Sequence, residues 1–268
     1  MIVTIDDALD PRLNAFRWRE RQLTTIAQRK SALNEGLFIA EGDLVVHRAL
    51  EAGCVPDVVL CDPKCATEFS DVVHTAGGTT LVASADIRRE VTGLGVPLDA
   101  IGVFRRPPLV SSDDLIAQST RLIVLDCVDN PSNVGSIART AAALGWDGLL
   151  LDSTSSDPLS RRALRVSMGT TFKLGFARFA STNEILAQLH QSGFATIGLT
   201  PHHESRDVTN LRSIQIEGKR ALVLGSERHG LSDASLELCT QLANITMADG
   251  VDSLNVASAS AIACFALL

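Results

Sequence analysis

The sequence predicts an α/β protein in two parts, a small α/β unit over residues 1–108 and a larger unit over residues 109–268. Strand and helix patterns alternate along the second part, which indicates a parallel sheet with helices on both faces. A near-continuous apolar run at residues 121–128 is typical of a strand that is buried on both sides. The polar, proline-containing stretch at residues 105–114 is the predicted boundary between the two parts.

The first part opens with a basic segment at residues 12–30, where six Arg and Lys side chains are opposed only by Glu20. Apolar residues recur through this segment at helical spacing, which predicts a basic amphipathic helix. These apolar residues are Leu13, Phe16, Leu23 and Ile26. A solvated helix face is the plainer interpretation of the charges, and a phosphate-binding surface is the alternative. The arginines that add to this set are Arg88, Arg89, Arg105 and Arg106.

Short strand and helix patterns follow one another along the rest of the chain. Strands are predicted at residues 36–42, 58–60, 80–83, 101–104, 121–128, 148–151, 173–179, 195–199, 221–224 and 243–246. Helices are predicted up to residue 50 and at residues 135–144, 159–166, 183–190 and 253–268. This order places the larger parallel sheet in the second part.

Composition excludes several classes of protein. The 268 residues carry 24 basic and 31 acidic side chains, a net charge of −7, which excludes a wholly basic nucleic-acid binder but not a local basic patch. The most apolar stretch, at residues 254–268, is shorter than the roughly 20 residues that cross a bilayer. Acidic residues stand where a signal peptide would be basic. We therefore expect a cytoplasmic protein with no membrane contact.

The cysteines and histidines do not form a metal-binding pattern. The six cysteines are scattered through apolar segments and contain no CxxC pair, so reduced, buried thiols are expected. The run from His202 to Glu204 lacks a third ligand at useful spacing. We expect no metal ion.

Three strand ends of the second part carry glycines together with polar side chains. They are the segments Asn133-x-Gly135-x-x-x-Arg139, Gly225-Ser226-Glu227-x-x-Gly230-Leu231 and Ser253-Leu254-Asn255. Ligands bind at the carboxyl ends of the strands in an open parallel sheet, and glycine permits close backbone approach. The three segments together therefore predict a ligand site.

Plainer interpretations exist for each polar residue. Asn133, Glu227 and Ser253 could cap helices, and Arg139 could pair with Asp147. The occurrence of all three segments in one part favours a functional site. The complete G-x-G-x-x-G fingerprint and the P-loop motif are both missing, which excludes the common nucleotide-binding classes.

These segments resemble the three signature motifs of the SpoU-type RNA ribose methyltransferases, which belong to the trefoil-knotted SPOUT superfamily. The first part is similar, more loosely, to the substrate-binding domain related to ribosomal protein L30e. Its matching features are residues 38–42, residues 49–53 and Asp86 with Ile87.

The resemblance implies a deep C-terminal trefoil knot, S-adenosylmethionine as cofactor, rRNA or tRNA as substrate, and a homodimer. It implies a catalytic set of Arg139, Asn133 and Asn255. It implies cofactor binding by Leu224, Gly225, Glu227, Gly230, Ile245, Met247, Ser253, Leu254 and Asn255. The residues expected to bind RNA are Arg17, Arg19, Arg21 and Arg139.

The chemistry of ribose methylation agrees with these residue types. A ribose 2′-hydroxyl is a poor nucleophile, so its methylation needs proton removal and close placement. Arginine stays protonated in proteins, so Arg139 is better suited to orienting the ribose or a phosphate than to acting as a base, and both roles stay open. A base-methylating enzyme and a catalytically idle RNA-binding protein of the same fold are the alternatives.

Overall fold

The computed structural model describes residues 2–30 and 35–268, and the Lys30 side chain lies outside the described part. Within these ranges the chain forms twelve strands and twelve α-helices. The strands are β1 Ile2–Ile5, β2 Leu37–Glu41, β3 Pro56–Cys61, β4 Thr79–Ala83, β5 Ala100–Arg105, β6 Arg121–Leu125, β7 Gly148–Leu151, β8 Gly175–Arg178, β9 Ala195–Leu199, β10 Val208–Asn210, β11 Arg220–Leu224 and β12 Gln241–Asn244. The helices are α1 Asn14–Arg17, α2 Glu20–Leu23, α3 Ile26–Lys30, α4 Asp43–Glu51, α5 Ala66–Thr75, α6 Ala85–Thr92, α7 Ser112–Gln118, α8 Pro131–Ala143, α9 Arg161–Ser167, α10 Thr182–Gln191, α11 Asp233–Leu238 and α12 Val256–Ala266.

The chain divides into two compact units. The first runs from the amino terminus to Leu109 and also takes Leu159–Phe172, whereas the second comprises Val110–Pro158 and Lys173–Leu268. Helix α9 thus belongs to the first unit by its contacts, although it lies in the second part of the sequence. Only three-dimensional packing shows this division.

The first unit contains a mixed five-stranded sheet in the order β1-β4-β3-β5-β2. β1, β4 and β3 run parallel, and β5 is antiparallel to both of its neighbours. Its core joins Leu13, Phe16 and Leu23 to apolar strand residues such as Leu60 and Ile101. The apolar stripe of the basic segment therefore does face a core.

The single basic helix expected at residues 12–30 is wrong. A short 3₁₀ turn and helices α1 to α3 replace it, because Trp18 and Thr24 adopt extended backbone angles. Gln22 Oε1 accepts the Arg19 amide at 2.9 Å, so a new helix begins there. Such local side-chain bonds to the backbone compete with continuation of a helix. Ile26, at the end of the expected stripe, is 70% exposed.

Helix α9 covers the edge strand β2 and carries two arginines to a buried carboxylate. The Glu41 side chain is 2% exposed and meets Arg165 Nη2 at 2.5 Å and Arg161 Nη1 at 3.5 Å. Arg161 also donates to the Phe16 carbonyl at 2.6 Å. Two cations therefore compensate a charge that would be costly to bury alone.

The second unit is built on a seven-stranded sheet in the order β10-β12-β9-β11-β6-β7-β8, and every pairing in it is parallel. Along β6, Leu122 and Val124 pack on one face with helices α7 and α10. Ile123 and Leu125 pack on the other face with α8 and α12. Burial on both faces explains the continuous apolar run of this strand.

The predicted α/β fold with a C-terminal parallel sheet is confirmed. The trefoil knot stays a prediction. The break expected at residues 105–114 includes the start of α7, whose N-cap Ser111 accepts the Asp114 amide. In the described part of the chain, no helix is long and apolar enough to cross a membrane.

The Arg165–Glu41 ion pair leads to a stability prediction. Arg165→Ala removes the nearer of two cations from a buried carboxylate and leaves Arg161, so we expect the free energy of unfolding to fall by about 2 kcal/mol. Urea unfolding followed by circular dichroism measures this. Arg89→Ala, which removes an exposed partner of Asp86, is the control and should cost less than about 0.5 kcal/mol. Equal losses in the two variants would contradict the importance of the buried pair.

Candidate active site

The loops with the three predicted motifs emerge at one edge of the parallel sheet. In the sheet, β11 lies between β6 and β9, and β12 lies beside β9. Because all seven strands are parallel, the loops that follow β6, β11 and β12 leave from the same edge. The predicted convergence of the motifs therefore rests on strand order.

The first motif begins helix α8. Asn130 is its N-cap and accepts the Ser132 amide at 2.9 Å, and Pro131 stands at the first helical position. Asn133 is therefore not the cap but lies in the first turn, where it is 5% exposed. Its side chain is left available for a contact outside the helix.

The third motif ends at Asn255, whose side chain joins the three motifs. Asn255 is the N-cap of α12, and its Oδ1 accepts the amides of Ala257 at 3.0 Å and Ser258 at 3.3 Å. Its Nδ2 donates to Asn133 Oδ1 at 3.1 Å and to Glu227 Oε1 at 2.5 Å. Ser253, the cap considered from sequence, does not cap this helix.

This arrangement leaves one buried donor without a partner. Asn133 Oδ1 accepts from Asn255, and Asn133 Nδ2 is buried with no hydrogen-bond partner among the described residues. An unsatisfied buried donor costs stability, so such a group in a native structure indicates a possible ligand contact.

The second motif forms a tight loop after β11. Ser226 and Gly230 exchange both backbone hydrogen bonds, at 2.9 and 3.0 Å, and the His229 amide donates to Ser226 Oγ. A Cβ at Gly225 would lie 2.2 Å from the Gly230 carbonyl, so only glycine fits there. At Gly230 a Cβ would meet no atom within 4 Å, but its φ of +70° favours glycine.

Asp126, at the end of β6, holds the base of this loop. The residue is 1% exposed, and its Oδ2 accepts the Ser232 amide at 2.9 Å and the Ser235 hydroxyl at 2.7 Å. Its own amide donates to the Leu224 carbonyl. The strand that leads to the first motif thus also positions the second.

Asp152, at the end of β7, holds the first motif in a similar way. Its carboxylate accepts hydrogen bonds from the Cys127 amide and from Thr154 and Ser155. Burial by itself raises the pKa of Asp152, but the hydrogen bonds from Ser155, Thr154 and Cys127 outweigh it and lower the pKa below its usual value. Cys127, in this turn, is exposed, so the expectation of a buried thiol is wrong for this residue. Its φ of +62° means that the chain leaves β6 in a constrained conformation.

A cavity of about 200 Å³ lies beside the joined motifs. Eight of the nine predicted cofactor residues line it. The ninth, Asn255, does not line the cavity but donates a hydrogen bond to Glu227, which does. The predicted lining residues are Leu224, Gly225, Glu227, Gly230, Ile245, Met247, Ser253 and Leu254. The walls are therefore mainly apolar side chains and backbone, with one carboxylate.

Several lining residues were missed from the sequence. They are Leu199, Thr200, Pro201, Ser226, Val256 and Ala259. Thr200 and Pro201 follow β9, so the rule that ligands bind at carboxyl strand ends could have found them. Ala259 lies on α12 beyond its cap, and no pattern in the sequence marks it.

A family model described as the SpoU rRNA Methylase family matches residues 120–265. An uncharacterised tRNA/rRNA methyltransferase of Mycobacterium bovis is 34% identical over 260 residues, which cover 97% of this chain and 89% of the relative. The chain belongs to the SpoU rRNA Methylase family. The predicted RNA methyltransferase class is thereby confirmed.

Other similar proteins are consistent with this membership. The 23S rRNA (guanosine-2′-O-)-methyltransferase RlmB of Xylella fastidiosa is 30% identical over 173 residues, 65% of this chain and 68% of that protein. The AdoMet-bound rRNA methyltransferase of Sinorhizobium meliloti has a TM-score of 0.83 at 24% identity and covers 99% of this chain and 97% of its own. The AviRb methyltransferase of Streptomyces viridochromogenes, in complex with AdoMet, has a TM-score of 0.76 at 21% identity, over 95% of each chain.

Arg139, the last residue of the first SpoU motif, is placed apart from the others. It is exposed and makes no ion pair with a described residue, so the alternative of a pair with Asp147 is wrong. Asp147 instead accepts the amides of Thr120 and Arg121. The six steps along the helix from Asn133 to Arg139 turn it through about 600°, which leaves the two side chains about 120° apart around the helix axis and so on different faces.

The basic residues of the first unit divide into two groups. Arg17, Arg19 and Arg21 are exposed, and none of them has a carboxylate partner among the described residues. The structure argues against phosphate binding by the other arginines that the sequence suggested. Arg88 and Arg106 are buried, and Arg12, Arg89 and Arg105 pair with aspartates. Across residues 2–30 and 35–268, no cluster of three or more metal-ligating side chains occurs.

The lowered pKa of Asp152 predicts how the stability of this SpoU protein depends on pH. A carboxyl whose pKa is lower in the folded state contributes stability above its unfolded pKa of about 3.9, and this is lost as the pH falls through the folded pKa. The difference in unfolding free energy between wild type and Asp152→Asn should therefore be largest above about pH 4 and shrink below it. Urea unfolding from pH 7 to pH 2 measures it.

Asp249→Asn is the matched control, because Asp249 is exposed. This change is expected to leave the stability curve unchanged. A constant difference between Asp152→Asn and wild type at every pH would contradict a folded-state pKa below the usual value.

Proposed function

We propose that the chain transfers a methyl group from S-adenosylmethionine to a ribose 2′-hydroxyl of rRNA or tRNA, acting as a homodimer. The observation that carries this proposal is the hydrogen-bonded set of Asn133, Glu227 and Asn255 beside a cavity of about 200 Å³. This set unites the three motifs of the SpoU family at one site.

The residues of the cavity fit the proposed cofactor. Apolar walls such as Leu224, Ile245 and Leu254 suit an adenine ring, and the Gly225 backbone permits close approach. The Glu227 carboxylate offers a negative charge to a cationic ligand. When bound, S-adenosylmethionine supplies an electrophilic methyl group on a sulfonium. The nine predicted residues, Leu224, Gly225, Glu227, Gly230, Ile245, Met247, Ser253, Leu254 and Asn255, would hold it.

The chain's own contribution to the reaction is to position groups. The backbone amides of Ala257 and Ser258 orient the Asn255 side chain, which in turn orients Asn133 and Glu227. Asn133 Nδ2 is then free to donate to an oxygen of the substrate. Such preorganised donors act without rearrangement during the reaction.

Arg139 would enter the site from a second subunit. The residue is exposed on α8, and α12 packs against the same helix. The outer face of α12 exposes Ile262 at 44% and Phe265 at 69%, together with Leu268. An exposed apolar stripe marks a surface for association, and a second copy of the chain on it would bring Arg139 toward the partner's cavity.

The decisive test is the identity of the product. Unmodified rRNA and tRNA transcripts are incubated with the protein and S-adenosylmethionine, then digested to nucleosides for mass spectrometry. A 2′-O-methylnucleoside is the expected product. A base-methylated nucleoside would support the alternative enzyme, and cofactor binding without any transfer would support an idle RNA-binding protein.

The role of Arg139 can be separated from cofactor binding. Arg139→Ala should bind S-adenosylmethionine with wild-type affinity in calorimetry but lose transfer by roughly 100-fold, the scale for removal of one positioned group. Arg139→Lys should recover little, because an ammonium lacks the planar set of donors. Transfer at the wild-type rate by Arg139→Ala would remove this residue from the mechanism.

Mixed dimers test the shared site. Ala259→Phe fills the cavity and should prevent cofactor binding. Mixing Ala259→Phe with Arg139→Ala subunits gives one composite site with both intact parts, so some activity should return. If the mixture stays as inactive as its components, each subunit works alone.

RNA binding should depend on salt through the exposed arginines of the first unit. If Arg17, Arg19 and Arg21 each meet a phosphate, they contribute about 2 to the slope of log affinity against log salt, at about 0.7 per contact. The triple alanine variant should lose this part of the slope in filter binding with rRNA and tRNA transcripts. Arg12, Arg89 and Arg105, which already pair with aspartates, provide the matched triple variant. Equal slopes for the two variants would contradict the assignment.

A further inference from the structure

Two residues of the second-motif loop have no role in the site described above. Arg228 and His229 lie between Glu227 and Gly230 in the sequence. Glu227 and Gly230 line the cavity, whereas Arg228 and His229 do not. Both side chains are exposed. The loop therefore presents them to solvent at the mouth of the cavity, and they do not narrow the space for a cofactor.

Hydrogen bonds within the loop and to Asn255 fix the conformation of the loop that carries Arg228. Ser226 and Gly230 exchange backbone hydrogen bonds, and the His229 amide donates to Ser226 Oγ at 3.0 Å. Glu227 accepts from Asn255 at 2.5 Å. The backbone from which the Arg228 side chain extends is thus held in a set direction relative to the cavity.

The charges around this mouth are mostly negative. The two loops that line the cavity, residues 225–231 and 245–255, contain three Asp and Glu residues but a single Arg and no Lys. Asp249 and Asp252, on the segment that follows β12, are exposed, as is Glu227. Arg228 is that single cation, and within the described residues it forms no ion pair.

Arg206 lies at the opposite edge of the sheet, because it directly precedes the parallel strand β10. Arg206 donates to the carbonyl oxygens of Leu236, Glu237 and Cys239, so it serves the fold. Arg228 has no such partner among the residues that the structure describes. An exposed guanidinium on a braced loop keeps its full set of donors for a ligand.

We propose that Arg228 binds a backbone phosphate next to the acceptor ribose and so positions the RNA strand at the cavity mouth. This inference rests on the proposed function. A ribose in RNA is bonded to phosphates on both sides, so any ribose presented at the mouth brings these anions close to Glu227, Asp249 and Asp252. A guanidinium there offsets the repulsion and can hold a phosphate through two parallel hydrogen bonds.

The test compares Arg228→Ala and Arg228→Lys with wild type, using unmodified rRNA and tRNA transcripts. For Arg228→Ala we expect the KM for RNA to rise roughly tenfold and the slope of log affinity against log salt to fall by about 0.7, the value for one phosphate contact. The affinity for S-adenosylmethionine in calorimetry should stay unchanged, as should kcat at saturating RNA. Arg228→Lys should recover part of the affinity, since a point charge still attracts a phosphate.

Lys219→Ala is the charge-matched control. Lys219 precedes β11 at the opposite edge of the same sheet and lies 5.1 Å from the Phe194 ring. Its removal should leave the KM for RNA and the salt slope as in wild type.

The possible outcomes separate this proposal from the proposed function. A wild-type KM and salt slope in Arg228→Ala would overturn the phosphate contact, and so would a loss of cofactor affinity, which would show a purely structural role in the loop. If wild type transfers no methyl group to any transcript, the proposed function fails. The salt slopes of wild type and Arg228→Ala still decide whether this side chain meets RNA.

Discussion

The side-chain amide of Asn255 is the contact on which the site depends. Its oxygen caps the last helix, and its nitrogen donates hydrogen bonds to Asn133 and Glu227, so one residue connects three loops. Each of its hydrogen-bonding directions is used, which leaves a single orientation of the amide compatible with all partners. The orientation of Asn133 follows from it, and so does the position of its buried Nδ2, which has no hydrogen-bond partner among the described residues.

Two buried carboxylates also fix the conformation of the loops that form the site. Asp126 holds the second-motif loop through Ser232 and Ser235, and Asp152 holds the turn before α8. Both sit at carboxyl ends of adjacent strands, where loop amides offer many donors. Satisfied polar networks of this kind favour one conformation, because any other leaves a buried charge without partners. The ends of β6 and β7 thus hold the loops of the site through these hydrogen bonds.

The first unit uses the same principle for a different purpose. Glu41 lies at the end of an edge strand and is compensated by Arg161 and Arg165 of α9. The helix also packs against β2, which is an edge strand of the five-stranded sheet. A segment from late in the sequence therefore completes the packing of the amino-terminal unit.

The sequence by itself determined the α/β class, most strands of both sheets and eight of the fourteen residues that line the cavity. The strands follow from local apolar patterns, whereas the eight lining residues follow from the resemblance of the chain to the SpoU family. Tertiary structure alone decided that residues 12–30 break into three helices, that Arg88 is buried, and that α9 belongs to the first unit. It also decided that Asn255 rather than Ser253 caps the last helix, and that Arg139 stands apart from Asn133. The physical reason is that pairing across the sheet and burial of charge depend on residues distant in sequence, which local periodicity does not record.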